Sequence, residues 1–277
     1  MKRKLLLAAV ITAVIISVSV FVGKKSDLKI LSHTENEFGP VWVFEQGNMR
    51  CMSFIEPPSG ILQSCMLLDN PKASIFHYSQ IFLGSLFIKE QPRKILMIGL
   101  GGATVPKALN ILVPRAQLDI IEINPVLVEI VRKYFDFHAS DTNNIIIQDG
   151  YEFVKNSQSE VYDIVFVDAF TPDYIPPAFL TDEFIQNVKK VLVKDGVIMI
   201  NTFANSEFKE QEIKLFKKNF GKYYSLSTDQ TEVIAAFKGT ALPDLPEIAY
   251  KAALWRYRFV EVGVSQVSVL SLFQKSN

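Results

Sequence analysis

Residues 94–104, KILMIGLGGAT, decide the fold. An apolar run, Ile95 to Ile98, reaches a turn built from Gly99, Gly101 and Gly102. The turn leads directly into TVPKALNIL (104–112), which has helical spacing. A buried strand, a glycine bend and a helix in that order open an α/β unit. Working outward, the same alternation recurs. QLDIIEI (117–123) reads as a strand and PVLVEIVRKYF (125–135) as a helix. NIIIQ (144–148) and YDIVFVDAF (162–170) read as further strands, with an amphipathic helix at 182–192 and a fifth strand at 196–203. A helix over 206–220 and two strands at 223–228 and 232–239 close the series. Continuous apolar strands between helices predict a parallel sheet covered on both faces. The fold class is therefore α/β, with a Rossmann-like sheet.

Before this unit, VWVFE (41–45), RCMSFIE (50–56) and ILQSCMLL (61–68) read as short strands, with turn chemistry at PPSG (57–60). A hairpin centred near residue 58 sets Cys51 opposite Cys65. The reading taken is two packed free thiols, because unpaired cysteine is a common core residue; a cross-strand disulfide is the alternative. Residues Leu5 to Gly23 carry no charge and are flanked by Lys2, Arg3, Lys4, Lys24 and Lys25. Nineteen residues at ~1.5 Å each span roughly 28 Å, close to a bilayer core. A retained single-pass membrane anchor is preferred to a cleaved signal, whose only site would be Ser17-Val-Ser19. Lys and Arg nearly match on the two sides, so orientation is left open. The resulting division is 1–25 anchor or signal, 26–70 β domain, 71–242 Rossmann-like catalytic domain, and 243–277 a tail with a helix.

Lys plus Arg and Asp plus Glu both number 29 in 277 residues. Zero net charge argues against nucleic-acid binding through bulk positive charge. His33, His77 and His138 lie far apart without ligand spacing, so no metal site is expected. Candidate chemistry instead sits at strand ends. Glu122 ends the second strand, 23 residues beyond Gly99, where an acid can accept both hydroxyls of a ribose. Asp149 ends the third strand, followed by Gly150, and either receives an adenine amino group or caps a helix. Asp168 ends the fourth, before a loop stiffened by Pro172, Pro176 and Pro177. Parallel strands bring these ends to one edge. Three acids and a turn without the GxGxxG register fit an S-adenosyl ligand better than NAD, so the sheet is expected to be of the S-adenosylmethionine-methyltransferase type.

At these residues the chain resembles the spermidine synthase (polyamine aminopropyltransferase) family, over roughly residues 40 to 240. The stretches GILQSCMLLDNP, IFHYSQ, ILMIGLGGATVPKAL with IIEINPVLVEIVRKYF, and IIIQDGYEFV with the segment from Tyr162 to Asn201 carry the likeness. The resemblance implies aminopropyl transfer from decarboxylated S-adenosylmethionine to a diamine such as putrescine. It implies donor contacts from Gln63, Gly99, Gly101, Gly102, Glu122, Asp149 and Gly150, with Asp168 as the catalytic acid-base residue. His77, Tyr78 and Asp173 would face the polyamine, and a homo-oligomer is implied. Three family acids are replaced, by Gly102, Ser79 and Thr171. Each lost charge pair to a partly buried ammonium costs roughly 1.5–3 kcal/mol. Two other readings stand beside aminopropyl transfer: an S-adenosylmethionine-dependent methyltransferase on the same sheet, and a membrane-anchored binding protein without catalysis. Adenosyl donors are cytosolic, so an active enzyme needs its sheet on the cytosolic side.

Overall fold

The computed structural model describes residues 28–58, 62–170, 175–229 and 231–275. The charge-free run 5–23 and Asp173 lie outside these residues. Among the described residues no helix is long and apolar enough to cross a membrane.

Strands β1 (Lys29–Thr34), β2 (Val41–Gln46), β3 (Met49–Ser53) and β4 (Ser64–Leu67) form an antiparallel meander. The third and fourth strands are shorter than their apolar runs, because Phe54 to Glu56 leave the ladder before the prolines at 57 and 58. The expectation of free thiols is corrected here. Cys51 pairs directly with Cys65 in the β3–β4 register, their Cα atoms are 4.0 Å apart, and the two are joined as a disulfide. Directly opposed antiparallel residues alternate between wide and close spacing, and this pair occupies a close position, which brings the two sulfurs together.

Helix α1 (His77–Leu83) leads into the second sheet. There β5 (Lys94–Ile98), α2 (Thr104–Leu112), β6 (Gln117–Glu122), α3 (Pro125–Tyr134), β7 (Asn143–Ile147), α4 (Gly150–Asn156), β8 (Tyr162–Val167), α5 (Asp182–Val191) and β9 (Leu192–Phe203) alternate. Helix α6 (Lys209–Phe220) precedes the closing strands β10 (Tyr223–Ser227) and β11 (Thr231–Phe237). The tail adds α7 (Leu245–Leu254), α8 (Arg256–Glu261), α9 (Gln266–Ser271) and β12 (Phe273–Lys275), which joins the sheet edge beside β10. The strand order is β12-β10-β11-β9-β8-β5-β6-β7, with β5 to β9 parallel and the remainder antiparallel.

Alternation along the strands builds two cores. Ile95, Met97, Ile164 and Phe166 face one layer, and Leu96, Ile98, Val165 and Val167 face the other. The first layer also takes in Val41, Val43, Met52 and Met66, so the meander shares its core with the large sheet. Local caps fix where helices begin. Pro125 follows Asn124, whose side chain accepts from the Val126 amide at 3.0 Å, and Thr181 accepts from the Phe184 amide at 3.2 Å. Strands β6 and β7 are added on one side of β5 and β8 and β9 on the other, which places a topological switch point at the Gly99 turn.

Candidate active site

A cleft of about 970 Å³ opens at the carboxyl edge of β5, β6 and β8. The sheet supplies its floor. Met52, Phe54 and Gln63 of the meander close it from above, with Phe76 and Tyr78 at the start of α1. Of the residues singled out from sequence, Gln63, Tyr78, Gly99, Gly101, Glu122, Asp149, Gly150 and Asp168 all line it.

Gly99 is required by close approach. Its φ is +96°, and a Cβ there would lie 2.2 Å from the Asp168 carbonyl oxygen. The amide of Asp168 in turn donates to Ile98 at 2.8 Å, so the glycine turn and the catalytic candidate are one built unit. Gly101 faces open space at φ +51°. Gly102 is placed differently. It packs against β4, where a Cβ would meet Ser64 Oγ at 2.3 Å, and it does not line the cleft. His77 also falls outside. Its side chain is exposed, because one helical step separates its direction from that of Tyr78.

Glu122 is 6% exposed. Its carboxylate accepts from the Leu100 amide at 2.9 Å and the Asn124 amide at 2.8 Å, tying the glycine turn to the loop after β6. Burial pushes this carboxyl upward, and those backbone donors oppose the shift. Lone pairs remain on both oxygens for a ligand. Of the two roles weighed for Asp149, the structure shows the helix cap. One oxygen caps α4, accepting from Tyr151 at 2.7 Å, while the residue still borders the cleft.

Asp168 is pushed up to about 6, chiefly by burial and further by the charge of Glu122; the Asn201 hydrogen bond works against this. Asn201 Nδ2 donates to Asp168 Oδ1 at 2.9 Å. The Tyr78 hydroxyl is held well above its ordinary range by burial, then by the negative charge of Asp168. Asn201 was not singled out from sequence. It is a polar residue inside β9, following the apolar run Val197 to Ile200. Glu37 and Phe38, from the β1–β2 loop, left no such signal. Among the described residues, the cleft is lined by the acids Glu37, Glu122, Asp149 and Asp168 and by no Lys, Arg or His. Nor do those residues contain a cluster of three His, Cys, Asp or Glu able to hold a metal ion.

Strand-end acids on a doubly covered, mainly parallel sheet define a Rossmann-like α/β protein of the methyltransferase type. Residues 76–240 match the family model for the spermine/spermidine synthase domain. The chain is 33% identical over 204 residues to a polyamine aminopropyltransferase of Vibrio vulnificus, covering 73% of this chain and 68% of that one. It belongs to the spermine/spermidine synthase family. Over 154 residues it is 29% identical to the mouse eEF1A lysine and N-terminal methyltransferase, 52% of this chain but 22% of that protein. The crystal structure of spermidine synthase from Thermotoga maritima shares the fold, with a TM-score of 0.70 at 18% identity over 89% of this chain and 84% of that one.

Proposed function

We propose that the chain transfers an aminopropyl group from decarboxylated S-adenosylmethionine to an amine, in polyamine synthesis, with Asp168 as proton acceptor. One observation carries this reading: four carboxylates and no cationic side chain among the described cleft residues. A sulfonium donor and an ammonium acceptor are both drawn to such a cleft. A donor that kept its carboxylate would bring a negative group with no cation to meet it.

In the step, the acceptor ammonium first gives a proton to Asp168, and the freed nitrogen lone pair attacks the propyl carbon bonded to sulfur. The new C–N bond forms as the C–S bond breaks, and sulfur keeps the electron pair as a neutral thioether. Asp168 can receive the acceptor's proton because its pKa of about 6 keeps it ionised at neutral pH, and the product nitrogen remains an ammonium. Asn201 fixes one carboxylate oxygen and leaves the other for the amine. Glu122 and Asp149 hold the ribose and adenine, with Gln63 above the donor. Phe76, Phe170 and Phe203 offer ring faces to the methylenes and cationic head of the acceptor.

Calorimetric titration of the full chain with both donors tests this. Preference for the decarboxylated donor by at least about tenfold is expected, the size of one charge-assisted contact. The reverse preference supports the methyltransferase reading, and binding of neither donor leaves a non-catalytic protein. The proposal includes a membrane anchor at residues 5–23, a homo-oligomer, and a catalytic face on the cytosolic side, where adenosyl donors are made. Protease protection in intact cells checks the last of these.

A further inference from the structure

The tail helices are apolar on two faces. Ile248, Ala252, Trp255 and Phe259 are buried against the sheet layer. On the outer side, Tyr250, Leu254, Tyr257 and Val260 are 70%, 58%, 80% and 70% exposed. Tyr250 and Leu254 lie four residues apart on α7, and Tyr257 and Val260 three apart on α8, so each helix adds an exposed pair to an outer apolar stripe. A surface helix carries one apolar stripe, so the outer one calls for an occupant.

Beside the stripe runs a groove of about 820 Å³, between α7–α8 and the loops that enter β5 and β6. Arg93, Arg115 and Arg258 line it, against one acid, Glu90. Arg258 donates to the Ile111 carbonyl at 2.6 Å and lies over the Trp255 ring at 5.5 Å. No carboxylate among the described residues pairs with Arg93 or Arg115. The nearby strand acids are already engaged. Asp163 accepts from the backbone of Arg93 at 2.8 Å and pairs with Lys89 at 3.2 Å. Asp119 takes the Tyr162 hydroxyl at 2.8 Å and Lys94 at 3.0 Å.

The groove lies at the amino edge of the sheet, opposite the cleft, and the described chain begins on that side. Strand β1 ends at the Glu37–Phe38 loop over the cleft, so its start points the other way. The Tyr134 hydroxyl, at the far end of α3, donates to Leu31 at 3.3 Å. Upstream of Leu28 lies the uncharged run 5–23.

We infer that this amino-edge face docks on an anionic phospholipid bilayer. Headgroup phosphates enter the arginine groove, and Tyr250, Leu254, Tyr257 and Val260 sit at the interface. Guanidinium groups match phosphate oxygens in pairs, and tyrosine favours the headgroup level. Docking in this orientation turns the acidic cleft away from the lipid, toward soluble substrates. The inference does not depend on the reaction assigned to the cleft.

The chain has two tryptophans, so Trp42→Phe leaves Trp255 as the sole reporter. The full-length variant is placed in nanodiscs of phosphatidylglycerol or of phosphatidylcholine, each carrying lipids brominated near the headgroup. Quenching of Trp255 is expected in phosphatidylglycerol discs and much less in phosphatidylcholine. Adding Arg93→Ala and Arg115→Ala should weaken docking roughly thirty-fold, the effect of two cations at an anionic surface, with donor affinity unchanged. Equal quenching in both discs, no quenching in either, or a chain that stays off phosphatidylglycerol discs overturns the inference. So does cross-linking of two copies through Tyr257→Cys in place of quenching.

Discussion

The carboxyl edge of the large sheet gathers Glu122, Asp149 and Asp168, whereas its amino edge is framed by Arg93, Arg115 and Arg258. Both groups belong to a chain whose formal charge is zero. The difference teaches that net charge averages away the feature that matters. Every parallel strand has two ends, and the residue at each end is free of the packing that fills the strand between. Acids collect where chain reversal opens a crevice, and cations collect where the turns close behind it. Sorted this way, one sheet presents an acidic cleft at one edge and an arginine-lined groove at the other.

The comparison breaks most sharply at Asp168. Replacing it with Asn keeps the shape and the Asn201 contact but removes the proton acceptor. Turnover should fall roughly 10²- to 10⁴-fold while donor affinity stays close to wild type. Wild-type turnover in steady-state assays would make the residue structural. Its pH behaviour adds a second readout. The rate should fall as pH drops below about 6, because the protonated carboxyl cannot accept a proton. Stability runs the other way. The folded-state pKa lies above the ordinary carboxylate value, so stability is lost as pH rises through about 6. Asp168→Asn should therefore raise the melting temperature at pH 8 and leave it unchanged at pH 4.

The meander that roofs the cleft sharpens the contrast next. Its disulfide closes a 14-residue separation, and removing it with Cys51→Ala and Cys65→Ala should cost about 2–3 kcal/mol on the loop-entropy account. Urea unfolding measures this, and an unchanged midpoint would mean that β3 and β4 hold without it. Glu122→Ala strands two buried amides, those of Leu100 and Asn124. A loss of about 1–3 kcal/mol is expected, together with weaker donor binding; Glu122→Gln should recover part of the stability. Donor affinity unchanged in calorimetry would remove the ribose role and leave a purely structural carboxylate. The smallest effect belongs to Asn201→Ala. Its hydrogen bond holds the Asp168 pKa down, so the midpoint of the pH–rate profile should move upward without abolishing activity. An unmoved midpoint would deny Asn201 a positioning role.

Much of this edge was legible in the sequence because hydrophobic periodicity marks where a strand stops. The helix predicted over 104–112 is α2 with the same bounds, and the strand ends at Glu122, Asp149 and Asp168 do converge. Asn201 lies inside β9, two residues before its end, so a rule that reads strand ends does not reach it. His77 shows the limit of motif placement. Its neighbour Tyr78 enters the cleft, and a 100° helical step sends the histidine to solvent. Gly102 shows another: the motif position is kept, but Ser64 from a distant strand occupies the space a side chain would need.

The order of strands, the glycine turn and the acids at strand ends were determined by the sequence itself, since burial period and chain-end polarity are local properties. Tertiary structure alone decided the Cys51–Cys65 bond, the roof of Phe38 and Phe54, the coupling of Asn201 to Asp168, and the arginine groove. Each of these depends on which surfaces distant segments bring together. That is set by packing two layers onto a twisted sheet, and no window of neighbouring residues contains it.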